Sequence, residues 1–164
     1  MTKNHYNVLF LCTGNSARSI MAEAIMNTKG GTRFTAYSAG SHPSGRVRPE
    51  ALSELEAAHI PTEGLRSKSW DEFARADSPK MDFVFTVCDN AANEMCPVWP
   101  GHPVTAHWGV PDPAAVKGTD DQIQNAYRKA FFLLENRIAL FLDLPLNSID
   151  DFAFKQELGN IGRQ

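Results

Sequence analysis

Five residues separate Cys12 from Arg18 in the segment Cys12-Thr13-Gly14-Asn15-Ser16-Ala17-Arg18-Ser19. Between a strand and a helix, a loop of that length can wrap a tetrahedral oxyanion, with backbone N–H groups turned inward and the helix N-terminus beneath. Thr13, Gly14, Asn15, Ser16, Ala17, Arg18 and Ser19 are therefore the expected oxyanion-binding residues. Gly14 supplies backbone freedom, and Arg18 offers a planar fork to two oxyanion oxygens. A cysteine in so positive a field is expected to fall from about 8.5 into a range of about 3.5–7.5. Cys12 would then be a thiolate ready for in-line attack, with Ser19 placed to donate a hydrogen bond to its sulfur. The Cys/Arg spacing alone arises easily by chance. The glycine and small polar residues inside it, with a strand before and a helix after, make it specific.

Two further segments carry candidate chemistry. In Trp108-Gly109-Val110-Pro111-Asp112-Pro113, a proline on each side stiffens the backbone around Asp112. Asp-Pro is common in plain turns. Beside an oxyanion loop, however, that carboxyl group can protonate a leaving oxygen or take a proton from water. In Cys88-Asp89-Asn90-Ala91-Ala92-Asn93-Glu94-Met95-Cys96-Pro97, two thiols stand at the ends of a short polar stretch. Small buried cysteines are common; that reading suits Cys88 better than Cys96, which lies among polar residues. Two such thiols can bridge if the segment rearranges, and Cys12 would add a third member to a relay. No second close Cys pair or suitably spaced His accompanies them, so no metal site is expected.

The elements that must position these residues are legible as short apolar runs between helical patterns. Strands are expected over Asn7–Leu11, Phe34–Ala39, Asp82–Val87 and Val104–Trp108. The first and third are apolar on both faces, as suits a parallel sheet covered on both sides. Helices are expected over Arg18–Lys29, from Pro49 with Leu52 and Leu55 on one face, and from Thr119 to Leu142. In the last, Thr119 and Gln122 have capping-box spacing, while Ile123, Ala126, Ala130, Leu134, Ile138 and Phe141 form the apolar stripe. A final helix is expected from Ser148, with Asp151 completing a similar box, to Gly159. Such alternation predicts an α/β doubly wound domain, four parallel strands with helices on both faces. Ligands of these folds bind beyond the carboxyl ends of the strands, where Cys12, Cys88 and Asp112 stand.

Composition sets the frame. The 164 residues are 43% hydrophobic and 21% charged, which is globular and suits one domain over 1–164, with 145–164 as a C-terminal helical extension. Sixteen Lys+Arg against 19 Asp+Glu give a net charge of -3, which argues against a nucleic-acid binder. The longest apolar runs are far short of a membrane span, no signal-peptide pattern opens the chain, and three cysteines do not close a disulfide framework. A cytoplasmic location follows as the expectation.

These motifs, in this order, resemble the arsenate reductases built on the low-molecular-weight protein-tyrosine-phosphatase fold, especially the thioredoxin-coupled branch. The resemblance rests on Cys12–Ser19 with Met21-Ala22-Glu23, on Ser38-Ala39-Gly40, on Cys88…Cys96-Pro97 and on His107-Trp108-Gly109…Asp112-Pro113. It implies a single flavodoxin-like domain with a four-stranded parallel sheet, in which Cys12 attacks arsenate held by the loop and Arg18 while Asp112 assists departure of water or hydroxide. Cys88 then attacks Cys12 and releases arsenite, and Cys96 attacks Cys88 to leave a Cys88–Cys96 disulfide. No tightly bound cofactor is implied; an external thiol reductant is, with thioredoxin favoured over glutaredoxin. The relay implies that Cys88 travels and that Asp89–Met95 rearranges.

The chain departs from its relatives at three places. Ala17 stands where some carry another cysteine, and the Cys88–Cys96 gap is one residue longer than in some. Some relatives bind potassium through Asn, Glu, Ser and Asp. Asn15, Glu23 and Ser38 match that set, whereas Lys68 stands at the aspartate position, implying that its ammonium replaces the ion.

Two other functions use the same loop. A tyrosine phosphatase would form a phospho-cysteine at Cys12 with Asp112 as acid. That branch usually has Tyr after its Asp-Pro, where this chain has Ala114, and it has no need of Cys88 or Cys96. A non-catalytic anion sensor would need passive thiols.

Overall fold

The computed structural model describes residues 4–88, 99–100, 102–146 and 151–164. Four parallel strands, β1 (Tyr6–Cys12), β2 (Phe34–Gly40), β3 (Phe83–Thr86) and β4 (Val104–His107), lie in the order β2-β1-β3-β4. The α-helices are α1 (Arg18–Lys29), α2 (Pro49–Ala57), α3 (Asp120–Leu142) and α4 (Asp151–Gly162). Each strand agrees with its apolar run to within a residue at either end. Alternate residues of β1 explain why that run is apolar throughout. Val8 and Phe10 join a large core with the four α-helices, whereas Leu9 and Leu11 join a smaller one with Phe73, Met81, Val84 and Trp99. Helical elements thus cover both faces, with the 3-10 turn Trp70–Phe73 on the second.

Helix α3 starts as its capping residues dictate: Thr119 Oγ1 accepts from Gln122 N–H, and Gln122 Oε1 accepts from Thr119 N–H. Its buried stripe is wider than the expected one. It includes Tyr127, Phe131 and the charged Arg137, while Ile123 and Ala126 are half-buried. In α2, Ala51, Glu54 and Leu55 turn inward and Leu52 is half-buried.

The final helix does not stop at Gly159 but continues to Gly162. Ending it earlier would expose Ile161, which is buried with Phe154 and Leu158 in the larger core. That burial, worth roughly 1.5–3 kcal/mol for a large aliphatic side chain, outweighs the roughly 1 kcal/mol cost of a mid-helix glycine. Ser148 lies outside the described residues.

Parallel register sets the site. Leu11 is paired with Thr86, and Val87 N–H donates to Leu11 O at 2.9 Å. The chain therefore leaves β3 at Cys88 right beside Cys12. Trp108 N–H donates to Thr86 O at 2.7 Å and Val110 N–H to Val87 O at 2.9 Å, so the segment leading to Asp112 is laid along the same edge.

Candidate functional site

The Cys12–Ser19 loop has its carbonyls turned outward. Thr13 O accepts from His42 N–H and Gly14 O from Ser44 N–H, each at 2.9 Å, and Ser16 O accepts from Arg48 N–H at 2.8 Å. All three donors belong to the Gly/Pro/Ser-rich stretch after β2. With its carbonyls bound on one side, the loop presents N–H groups to the other. Ala17 caps α1 with no side-chain acceptor, so the first N–H groups of that helix also remain available to an anion.

The left-handed residue of the loop is Asn15, at φ 46°, not Gly14. A Cβ on Gly14 would meet only Ser16 Oγ at 3.7 Å, so glycine is not demanded there. Asn15 tolerates its conformation because its side chain is held at both ends. Its Oδ1 accepts from Lys68 N–H at 2.9 Å and its Nδ2 donates to Ser19 Oγ at 2.7 Å. Ser19 thus meets Asn15, where a bond to the Cys12 sulfur had been expected. The glycine that the loop does demand is Gly40, paired with Cys12 across the sheet; a Cβ there would lie 2.4 Å from Thr13 O.

Cys12 and Cys88 are both free thiols and both buried. Thr13 N–H donates to Cys88 Sγ at 3.3 Å. The neighbouring Cys88 thiol, and then burial, pushes the Cys12 thiol well above its ordinary value; Arg18 and the Gly14 N–H pull the other way. The direction is therefore opposite to the expected drop. That expectation counted the positive loop alone, whereas the register of β1 and β3 adds a second thiol that leaves the proton on Cys12. It also bears on the expected travel of Cys88, which already lies against the loop. Cys96 and Asp89–Met95 are outside the described residues.

Arg18 Nη1 donates to Val110 O at 2.9 Å, and its Nη2 lies 3.7 Å from Asp112 Oδ2. Asp112 Oδ1 accepts from Ala114 N–H at 2.9 Å, capping the 3-10 turn Pro113–Ala115. The turn-aspartate and site-aspartate readings therefore coexist in one side chain, half exposed and facing Arg18. The structure thus gathers Cys12, Arg18, Cys88 and Asp112 at the carboxyl edge of the sheet.

Beneath the loop lies a buried cation. Lys68 Nζ is 3.5 Å from Glu23 Oε1, 3.4 Å from Ser38 Oγ and 3.0 Å from Arg66 O, and Ser38 Oγ donates to Glu23 Oε1 at 2.7 Å. Burial lowers the Lys68 ammonium below its ordinary value, while Glu23 opposes the shift. These residues do not fit a resident potassium ion: an ammonium already sits between Glu23 and Ser38, and Asn15 is bonded to Lys68 N–H and Ser19. Among the described residues no cluster of three His, Cys, Asp or Glu side chains could hold a metal, and no helix is long and apolar enough to cross a membrane.

Residues 7–150 match the model of the family described as low molecular weight phosphotyrosine protein phosphatase. The arsenate reductase of Halalkalibacterium halodurans is 35% identical over 136 residues, 83% of this chain and 94% of that one. The solved arsenate reductase of Archaeoglobus fulgidus superposes with a TM-score of 0.65 at 27% identity, covering 84% of this chain and 99% of that one. An arsenate reductase solved in the phosphate binding state gives a TM-score of 0.61 at 26% identity, over 84% and 96%. The chain belongs to the low molecular weight phosphotyrosine protein phosphatase family, and within it stands with the arsenate reductases.

Proposed function

We propose that this chain reduces arsenate to arsenite through thiol–disulfide exchange begun by Cys12 and Cys88. The observation that carries the reading is the second thiol at the oxyanion loop, with Cys88 Sγ accepting at 3.3 Å from the N–H of Thr13, the residue after Cys12. Hydrolysis of a phospho-cysteine needs no such group. The relatives named arsenate reductase support the substrate, and the one solved with phosphate supports oxyanion binding at this kind of site.

The steps follow from the geometry. Arsenate enters the loop, where the outward carbonyls leave N–H groups and Arg18 to receive its oxygens. Cys12 passes its proton to a bound arsenate oxygen and attacks arsenic; the S–As bond forms, an As–O bond breaks, and the expelled oxygen takes a proton from Asp112 and departs as water. Cys88 attacks the Cys12 sulfur: the S–S bond forms, the S–As bond breaks, and its electron pair stays on arsenic, which falls from As(V) to As(III). Cys96 then attacks Cys88 and frees Cys12. Thioredoxin, a protein dithiol, suits the resulting Cys88–Cys96 disulfide better than glutaredoxin, and no tightly bound cofactor is required. A reducing cytoplasm keeps the resting thiols free. The chain works as one domain, with 145–164 as an extension. Aryl phosphates are expected as slow side substrates, since phosphate and arsenate share shape and charge.

The test is arsenate-dependent NADPH oxidation with thioredoxin and thioredoxin reductase, comparing wild type with Cys96→Ser. Turnover that vanishes in the variant supports the relay. No turnover in either, with brisk hydrolysis of p-nitrophenyl phosphate, would make the protein a phosphatase.

A further inference from the structure

Between the end of β4 and Asp112, the main chain is pinned group by group. Trp108 N–H and Val110 N–H are held by β3 and its exit, and Val110 O by Arg18. Gly109 O accepts from Arg137 Nη1 at 2.7 Å. Arg137 projects inward from α3, 5% exposed, and among the described residues no Asp or Glu side chain pairs with it. Among the described residues its Nε has no hydrogen-bond partner. Packing alone does not explain such a residue, because an apolar side chain of similar volume fills a core without the cost of burying a cation. What the guanidinium adds is a directed hold on Gly109 O.

Another hydrogen bond of Arg137 runs to the residues just past α4: Nη2 donates to the backbone oxygen of Gln164 at 3.3 Å. That end of the molecule also grips the same segment directly. Trp108 Nε1 donates to Leu158 O at 3.0 Å, and a Cβ on Gly162 would come within 2.3 Å of His107 O. So close an approach of helix to main chain leaves the His107–Gly109 backbone little room to shift. Helix α4 begins at Asp151, just past the residues matched by the family model.

We infer that Arg137, tied to the residues just past the C-terminal helix α4, is a positioning residue that sets Asp112 against Arg18 of the oxyanion loop by fixing Gly109. The inference rests on the proposed role of Asp112 as the acid. Arg137 acts on the proton-transfer step through the backbone and leaves arsenate binding, which belongs to the loop and Arg18, unaltered.

The experiment measures single-turnover formation of the Cys12–Cys88 disulfide by quench and mass spectrometry, as a function of arsenate concentration. Every protein carries Cys96→Ser, alone or with Arg137→Met, Arg137→Lys, Asp112→Asn, or both Arg137→Met and Asp112→Asn. Misplacing a reacting group by about 1 Å costs up to about 100-fold, so Arg137→Met is expected to slow the maximal rate roughly 10- to 100-fold. Half-saturation by arsenate should stay within about twofold, and Arg137→Lys should recover part of the rate. On Asp112→Asn, Arg137→Met should add less than about twofold, because residues acting through one group are not additive. Equal slowing in both backgrounds, a shift in half-saturation instead of rate, or no slowing at all would overturn the inference. A full rate in Asp112→Asn alone would instead refute the acid role, and no disulfide in the Cys96→Ser parent would refute the reductase reading. Should Arg137→Met fail to fold, Gly162→Ala repeats the test, since its Cβ must push α4 away from His107 O.

Discussion

The oxyanion loop and the Asp112 segment each rest on a buried cation, and the two cations are held differently. Lys68, 7% exposed, faces the Glu23 carboxylate and touches the loop through its backbone N–H to Asn15. Arg137, 5% exposed, faces no carboxylate side chain among the described residues and reaches its segment through a carbonyl. The Lys68–Glu23 pair fixes a loop that must keep its shape whether or not an anion is present. Arg137 instead aims one short segment. The comparison teaches that charge balance beneath a site and alignment of a single side chain are separate structural tasks.

Substitutions that unbalance the first arrangement should cost most. Lys68→Met leaves the largely buried Glu23 carboxylate without its cation, with only the Ser38 hydroxyl bond remaining, and is expected to destabilise the fold by about 3 kcal/mol in urea unfolding. The Lys68→Met/Glu23→Gln double variant should recover most of that loss. The parallel change Arg137→Met strands no carboxylate and should cost no more than about 1 kcal/mol, although it slows the chemistry. Equal losses at the two positions would erase the distinction drawn between them.

Gly40→Ala strikes the loop from the neighbouring strand. Its Cβ would stand 2.4 Å from Thr13 O, so the loop must shift, and kcat/KM for arsenate is expected to fall roughly 100-fold. A wild-type value would mean that the loop tolerates displacement.

Cys88→Ala removes the neighbouring thiol that leads in raising Cys12. Iodoacetamide should therefore alkylate Cys12 several-fold faster at pH 7 in the variant than in wild type. The sign for stability follows. A raised cysteine keeps its proton in the folded state while the unfolded chain gives one up near 9.0, so stability falls as pH rises past that value. Urea titrations at pH 7 and 10 should show a smaller alkaline loss in Cys88→Ala. The smallest expected effect is a near absence: exchanging potassium for sodium should change kcat by less than about twofold, because Lys68 already holds the cation position. Clear stimulation by potassium would contradict that assignment.

What the sequence made legible was local. The Cys12–Arg18 loop is contiguous, and the apolar runs around it reveal a sheet because β1 and β3 are buried on both faces. The thiol–thiol contact was not legible, since it depends on Leu11 pairing with Thr86, a register that no single segment encodes. The oxyanion-loop argument therefore erred on Cys12 by considering its own neighbours only. Arg137 did leave a signal: it falls in the helical stripe of Ala130, Leu134 and Phe141, where a charge is out of place. Gly40 left none, because its need for glycine comes from a carbonyl of another segment.

The central claim is that Cys88 takes the second step from where it already lies. The direct measurement is intact-mass and peptide mass spectrometry of Cys96→Ser after one addition of arsenate without reductant. The account predicts one equivalent of arsenite per protein and a Cys12–Cys88 disulfide, with no further turnover. Sustained turnover without that bridge, or arsenite formed equally well by Cys88→Ala, would contradict it.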